Sequence, residues 1–388
     1  MNRPKPYINK WKVYFIIALF STCIFITILK YKDVSAKTIT LSQATNYELN
    51  DSHFHLTNYI QKGTDIRKFL NIMGDKVERV ALFGIPLQQQ WSYRISGDHA
   101  PKYYLETDAP LYYYSFTDAY IAMIYKSLSK EHQARFDPMI TGFNPTDMYA
   151  ADHIKRVLLT FPGVFSGIGE FTIHKEFVSP KVAGDAASLL DPALDSIFSF
   201  AEEVGLAVII HNDIDVPFAK EDKEPAYFKQ MKDLLKRHPK TSIIWAHIGL
   251  GRVIHPVQSS PTEEATLRSK NQIQLVRDIL NDPKLSHVHF DISWDEVAKY
   301  IVRNDTTVRA TATLINQFPD KFLFGTDVVA PDNQKEYLQV YYQYDPLWKS
   351  LSKETKDKVC KGNYVRVFDQ ARKSVRAWEQ AHINIKTK

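Results

Sequence analysis

Short apolar runs rich in β-formers alternate along this chain with longer stretches whose apolar residues recur at helical spacing. Eight such runs fall at residues 48–55, 79–86, 137–142, 164–170, 206–211, 242–248, 287–292 and 322–327. Runs such as Ala207-Val208-Ile209-Ile210 and Ile243-Ile244-Trp245-Ala246 are apolar on both faces, as parallel strands covered by helices must be. The intervening segments carry helix starts. Ser260-Pro261-Thr262-Glu263 reads as a capping box with proline at the first helical position, and Asp191-Pro192 opens an apolar-periodic segment that ends near Gly205. Eight β units alternating with helices predict an α/β fold, one (β/α)8 TIM barrel rather than two domains. One stretch breaks the period: residues 90–135 hold Trp91, Tyr93, Tyr103, Tyr104, Tyr112, Tyr113, Tyr114 and Tyr120. A helix at about 116–129 supplies the crossover there. The rest of this Tyr-rich insertion reads either as extra surface packing or as a lid or pocket wall at the catalytic end.

Composition narrows the class. The 388 residues are 44% hydrophobic and 24% charged, which excludes a disordered or fibrous chain. The two cysteines make no framework, since Cys23 lies within an apolar run and leaves Cys360 alone, so no disulfide is expected. The net charge of +5 is localised. Residues 1–36 contain Arg3, Lys5, Lys10, Lys12, Lys30 and Lys32 against Asp33 alone, which leaves 43 basic and 43 acidic side chains in residues 37–388. A neutral body argues against nucleic acid as the partner. The leader itself, a basic start, an uncharged run from Val13 to Leu29 and then Val34-Ser35-Ala36, reads as a signal peptide or a membrane anchor. Seventeen residues of helix span roughly 25 Å, long for a cleaved apolar region and a little short of the hydrocarbon core. Both outcomes place the body, 37–388, outside the cytoplasmic membrane, because more positive charge precedes the run than follows it. The domain expectation is therefore a leader at 1–36 and a single barrel at 37–388, periplasmic, extracellular or anchored with its body outside.

Metal-ligand residue types fall at the carboxyl ends of the strands, where barrels place their chemistry. His53 and His55 in Asp51-Ser52-His53-Phe54-His55 are two apart on a strand and share a face. Glu170 closes the fourth run, His211 the fifth, His247 the sixth and Asp327 the eighth. From Glu170 through His211, His247, Asp291 and Asp327 the steps are 41, 36, 44 and 36 residues, each about one βα unit. Imidazoles with carboxylates suit Zn²⁺, with Mn²⁺ or Fe²⁺ as alternatives, and such an ion acidifies water toward neutral pH. Asp327 is the candidate proton acceptor, and Glu170 either bridges two ions or orients a ligand. Asp51 either fixes an imidazole tautomer or makes a plain strand-end hydrogen bond. His174 and Lys175 after the fourth strand, and Arg252 after the sixth, are candidates to hold an anionic substrate, with surface solvation as the alternative. Asp291 and Trp294 are expected to border the pocket, with a structural role as the equal alternative for Asp291. Neither a Gly-x-Ser-x-Gly elbow nor a phosphate-binding loop occurs.

The motifs Asp51-Ser52-His53-Phe54-His55, Gly167-Ile168-Gly169-Glu170, Val208-Ile209-Ile210-His211, Trp245-Ala246-His247-Ile248-Gly249, Phe290-Asp291-Ile292-Ser293 and Phe324-Gly325-Thr326-Asp327 together resemble the amidohydrolase superfamily, and most of all its family-2 branch. The resemblance covers about residues 48–375. It implies a distorted (β/α)8 barrel holding one or two divalent metals through His53, His55, His211, His247 and Asp327, with Glu170 at the position that bridges two ions in related binuclear enzymes. The expected activity is metal-dependent hydrolysis of a small carbonyl substrate such as a lactone or cyclic amide. The alternatives are metal-dependent non-oxidative decarboxylation, metal binding without turnover, and phosphoester hydrolysis. The expected partner is a small-molecule substrate, with membrane contact only through the leader and the oligomeric state open.

Amino-terminal sequencing of the native protein is expected to begin at Lys37 if the leader is removed, or at Met1 in a membrane fraction if it is kept. Full-length protein in the soluble cytoplasm would overturn both.

Overall fold

The structure is a computed structural model that describes residues 47–86, 91–103, 105–106, 116–176, 187–219, 224–252 and 271–383. The leader at 1–36, the capping box at 260–263 and Tyr104, Tyr112, Tyr113 and Tyr114 lie outside the described residues. Among the described residues no helix is long and apolar enough to cross a membrane.

Among the described residues nine parallel strands form one curled sheet: β1 Leu49–His55, β2 Val77–Phe83, β3 Phe136–Ile140, β4 Gly167–Thr172, β5 Ala207–His211, β6 Ser242–Trp245, β7 Val288–Asp291, β8 Phe322–Leu323 and β9 Val328–Val329. Their order is β8-β7-β6-β5-β4-β3-β2-β1-β9. The two edge strands, β8 and β9, are the halves of one broken strand, so pairing β8 to β7 and β9 to β1 closes an eight-stranded barrel. The eighth run expected at 322–327 is thus interrupted, and the sixth stops at Trp245 rather than at residue 248. In the interruption, side-chain and irregular backbone bonds replace the ladder. The Ser52 N–H donates to the Phe324 carbonyl at 3.0 Å, the Thr326 N–H to Asp51 Oδ1 at 2.9 Å and the Asp327 N–H to the His53 carbonyl at 2.7 Å.

Helices cover the outside. The segment opened by Asp191-Pro192 is the helix Pro192–Val204, and Asp191 caps it by accepting from the Ala193 N–H. Ala193, Leu194, Ile197, Phe198, Ala201 and Val204 recur at three- and four-residue spacing and are buried, and Gly205 ends the helix in a left-handed conformation. The helix expected at about 116–129 spans Thr117–Lys126. Cys360 is buried as a free thiol.

Inward and outward side chains alternate along the strands. Val80, Leu82, Val208 and Ile210 join the outer core with the helices, whereas Ala81, Phe83, Ala207, Ile209, Ile244 and Leu323 face the barrel interior. The C-terminal helix Asn363–Ile383 closes the floor by packing Tyr364, Val367, Phe368 and Ala371 against that interior set. A buried polar knot fixes it there. Asp137, fully buried on β3, accepts from Arg79 Nη2 at 2.8 Å, Arg372 Nη2 at 2.6 Å and Tyr364 Oη at 2.8 Å.

Asp137→Asn is expected to cost roughly 3 kcal/mol, since removing one partner of a buried ion pair leaves the others uncompensated. The readout is the denaturant midpoint at unchanged cooperativity; a shift worth less than about 0.5 kcal/mol would show that apolar packing alone holds the floor.

Candidate metal centre

Three predicted ligands follow strand parity: His53 and His55 flank outward Phe54 on β1, and His211 follows inward Ile209 on β5. The other three depart from regular strand, Asp327 by lying in the break between β8 and β9 with a left-handed φ of +54°. On β4 both Ile168 and Phe171 face outward, three residues apart, and the β4–β5 register shifts between them. This irregularity turns Glu170 inward. Gly169 permits it: its φ is +102°, and an added Cβ would lie 2.0 Å from the Ile209 carbonyl oxygen. On β6, inward Ile244 and Ala246 leave His247 on the outward parity, but His247 and Ile248 adopt left-handed φ values of +56° and +53° and swing the imidazole over the barrel.

The six side chains converge. His55 Nε2 lies 3.0 Å and His53 Nε2 3.3 Å from Asp327 Oδ1, and both are 3.5 Å from Glu170 Oε2. The other oxygen of Glu170, Oε1, lies 2.7 Å from His211 Nδ1 and 3.3 Å from His247 Nε2. Glu170 therefore faces one ligand group, His53–His55–Asp327, with one oxygen and a second, His211–His247, with the other. Residues drawn from both groups are close enough to share an ion.

Three of the four imidazoles are held by a partner on the far nitrogen, and His55 Nδ1 is buried without a hydrogen-bond partner. His53 Nδ1 donates to Asp291 Oδ2 at 3.0 Å, His211 Nε2 donates to Asp213 Oδ1 at 3.0 Å, and His247 Nδ1 donates to Ser293 Oγ at 2.8 Å. The Ser293 hydroxyl donates in turn to Asp291 Oδ1, which also accepts from the His247 backbone N–H at 2.8 Å. These contacts direct His53 Nε2, His211 Nδ1 and His247 Nε2 toward Glu170. Asp51 plays a different part from the tautomer-fixing one weighed from its position. It accepts from the His53 N–H, from Thr326 N and Oγ1 and from Tyr337 Oη, and so ties β1 to the turn that carries Asp327. Burial pushes its carboxyl up to about 6 against those hydrogen bonds.

The electrostatics favour a cation. Burial alone would raise the carboxyl of Glu170, but Lys175, His53 and the hydrogen bonds of His211 and His247 outweigh it and hold the group well below the ordinary range. Asp327 is lowered in the same way by His53, His55 and His247. Conversely, burial would lower His53, yet Asp291, Glu170 and Asp327 raise it well above the usual imidazole value. His53 Nε2 is fully buried without a hydrogen-bond partner while it faces two carboxylates. Two carboxylates and four imidazoles closing on a nitrogen of that kind fit a divalent transition metal, whose charge supplies what protonated imidazoles would otherwise supply.

A cavity of about 400 Å³ opens above the cluster, lined by Asp327, Thr326, Trp294, Lys175, Arg252, Tyr59, Tyr103, Val328, Val329 and Val340 among others. Lys175, Arg252 and Trp294 thus stand where the sequence placed them. Two expected wall residues do not. Asp291 is fully buried and spent on His53 and Ser293, and His174 stacks on Tyr227 with ring centroids 3.7 Å apart, where burial lowers its imidazole to about 4. The insertion divides between both expectations: Tyr103 lines the cavity, whereas Trp91 and Tyr93 are exposed on the surface. Asp213, Ser293 and Tyr59 escaped the sequence reading. Asp213 alone left a signal, repeating after His211 the two-residue spacing of His53 and His55.

The family model described as amidohydrolase matches residues 51–370. Among solved structures the chain is similar to an uncharacterized TIM-barrel protein from Bordetella bronchiseptica, at 13% identity over 83% of this chain and 99% of that one, with a TM-score of 0.49. It is similar also to a dihydroorotase from Campylobacter jejuni (14% identity, 83% of each chain, TM-score 0.47) and to a 2,6-dihydroxybenzoate decarboxylase from Rhizobium (16%, 83% and 99%, 0.45). No protein of curated function matches.

Asp291→Asn is expected to weaken metal binding 10- to 100-fold, the usual effect of losing a carboxylate behind a ligating imidazole. Competition against a chromophoric chelator measures it, with far-UV circular dichroism as the check on folding. Undiminished affinity would show that packing alone orients His53.

Proposed function

Because the chain belongs to the amidohydrolase family, we propose that it is a metal-dependent hydrolase of a small carbonyl substrate, a lactone or a cyclic amide. The observation that carries this reading is Asp327. Its carboxylate belongs to the ligand cluster, at 3.0 Å from His55 Nε2, and it also lines the cavity, so one group touches both the ion's place and the substrate's.

His53, His55, Glu170 and Asp327 would hold one ion, and Glu170 with His211 and His247 a second; zinc suits the donor set best, with Mn²⁺ or Fe²⁺ as alternatives. A bound ion supplies Lewis acidity, polarising the substrate carbonyl and lowering the pKa of water toward neutrality. The chain's own residues do the rest. Asp327, kept ionised by the imidazoles around it, accepts the proton of the attacking water and returns it to the leaving oxygen or nitrogen. Its position is fixed twice, by its backbone N–H on the His53 carbonyl and by Asp51 through Thr326. Trp294, Val328, Val329 and Val340 give the cavity an apolar side against which a substrate body can pack. The volume of about 400 Å³ suits a small molecule.

Asp327→Asn is expected to retain most of its metal, with the imidazoles and Glu170 in place, and to lose about 10²–10⁴-fold in kcat, the range for a lost general base. The assay is a panel of lactones, cyclic amides and aromatic acids on the metal-replete protein. Release of CO₂ from an aromatic acid, with every lactone and cyclic amide untouched, would replace hydrolysis by decarboxylation. Near-normal turnover in the variant would make Asp327 a ligand only.

A further inference from the structure

One buried carboxylate behind the metal centre is bonded in two directions. Asp213 Oδ1 accepts from His211 Nε2 at 3.0 Å, which leaves His211 Nδ1 facing Glu170 at 2.7 Å. Its other oxygen, Oδ2, accepts the Glu176 backbone N–H at 3.0 Å. The Asp213 N–H donates to the His174 carbonyl at 2.8 Å, and the Ile173 N–H donates to the His211 carbonyl at 3.0 Å. The segment after β4 is thus tied to the one after β5 by backbone and side chain alike.

A third segment joins them. The buried side chain of Glu176 accepts the Arg252 backbone N–H at 3.1 Å, and the Ile214 N–H donates to the Gly249 carbonyl at 2.8 Å. Between these bonds Gly251 lies against the Asp213 carboxylate. A Cβ there would stand 2.5 Å from Oδ2, 2.8 Å from Cγ and 2.9 Å from Oδ1, closer than van der Waals contact permits. Glu176 itself sits in a left-handed conformation at φ +36°, which persists only where surrounding bonds hold it. The tilt of the His211 ring therefore follows Asp213, and the position of Asp213 follows the 173–176 and 249–252 segments. Lys175 and Arg252 line the cavity from those same two segments.

We propose that Asp213 is a positioning residue that couples ion binding at His211 to the order of the 173–176 and 249–252 segments, so that Gly251, which is no ligand, sets the affinity of the centre for its ion. Such coupling is reciprocal: whatever displaces the segments weakens ion binding, and ion binding steadies the segments. The shape of the cavity wall then depends on the loading of the centre beneath it. This coupling rests on the ligand cluster invoked for hydrolysis and not on the reaction, and it is read without substrate.

Zinc affinity is measured by competition against a chromophoric chelator in wild type, Gly251→Ala, Asp213→Ala and the double variant, with far-UV circular dichroism as the check on folding. Gly251→Ala is expected to weaken zinc binding about tenfold or more, as loss of support behind a ligating imidazole does. In the Asp213→Ala background the same change should cost less than about twofold, because the carboxylate it would displace is gone. An undiminished affinity in Gly251→Ala overturns the proposal, and so does an equal loss in both backgrounds, the mark of general damage to the loop. Should a variant fail to fold or hold no zinc, hydrogen exchange of the wild-type protein decides. Saturating zinc should then slow exchange in peptides covering 173–176 and 249–252 by about tenfold, with the floor helix Asn363–Ile383 unchanged as reference. Equal exchange with and without bound zinc overturns the coupling alone. A wild type that binds no zinc overturns the metal reading and the coupling together, and coupling in a protein that hydrolyses no lactone or cyclic amide overturns the hydrolytic reading alone.

Discussion

Two ionised carboxylates, Glu170 and Asp327, lie buried within reach of four imidazoles, and the rest of the upper barrel is arranged around keeping them charged. Carboxylates moved out of water need nearby positive charge and hydrogen-bond donors, or they take up protons. Here the imidazoles meet that need, which creates a second one, because each ring presents another nitrogen to the interior. Asp291, Asp213 and Ser293 answer it for His53, His211 and His247. Acidic and imidazole groups so alternate through the cluster, and the orientation of each follows from its neighbours rather than from its own rotamer preference.

The same contacts close the barrel. Where the eighth strand breaks, between β8 and β9, β1 keeps its partner through Ser52, Asp51 and the His53 carbonyl, the stretch that also carries two ligands. Gly325 allows this approach, since a Cβ there would lie 2.6 Å from the Cβ of His53. Asp327 takes a left-handed conformation at φ +54° and is held in it by bonds to β1. Strand closure and the placement of the proton acceptor are one structural event. Lys175, Arg252 and Trp294, by contrast, line the cavity from loops, where side chains change without disturbing the ladder.

Much of this was legible in the chain. Doubly apolar runs separated by helical periods specify a parallel closed sheet, and the residue types at the strand ends specify where its chemistry lies. His53, His55 and His211 were legible down to the face, because parity on a regular strand decides it. The inward aim of Glu170 and His247 was not. Regular parity points both away from the barrel, and they turn inward through a local irregularity at Gly169 and a left-handed turn at His247 whose geometry depends on neighbouring strands. Asp51 and Asp291 illustrate another limit. Both are inward aspartates near strand ends, and their roles differ only through what lies across the barrel, Thr326 and Tyr337 for one, His53 and Ser293 for the other. Apart from the neighbouring Ser293, these partners lie more than two hundred positions away, beyond the reach of any local pattern.

The floor of the barrel is the last of the described helices, Asn363–Ile383. Tyr364, Val367, Phe368 and Ala371 fill the interior from below, and Arg372 and Tyr364 bind Asp137 on the third strand. During synthesis the strands emerge in order, yet the plug that covers their inner face leaves the ribosome only after all of them. Until then the nascent barrel has an exposed apolar interior, and Asp137 has Arg79 but lacks Arg372 and Tyr364. Its folding is therefore completed only once that helix has emerged and docked, and until then the open interior is the surface through which misassembly would start.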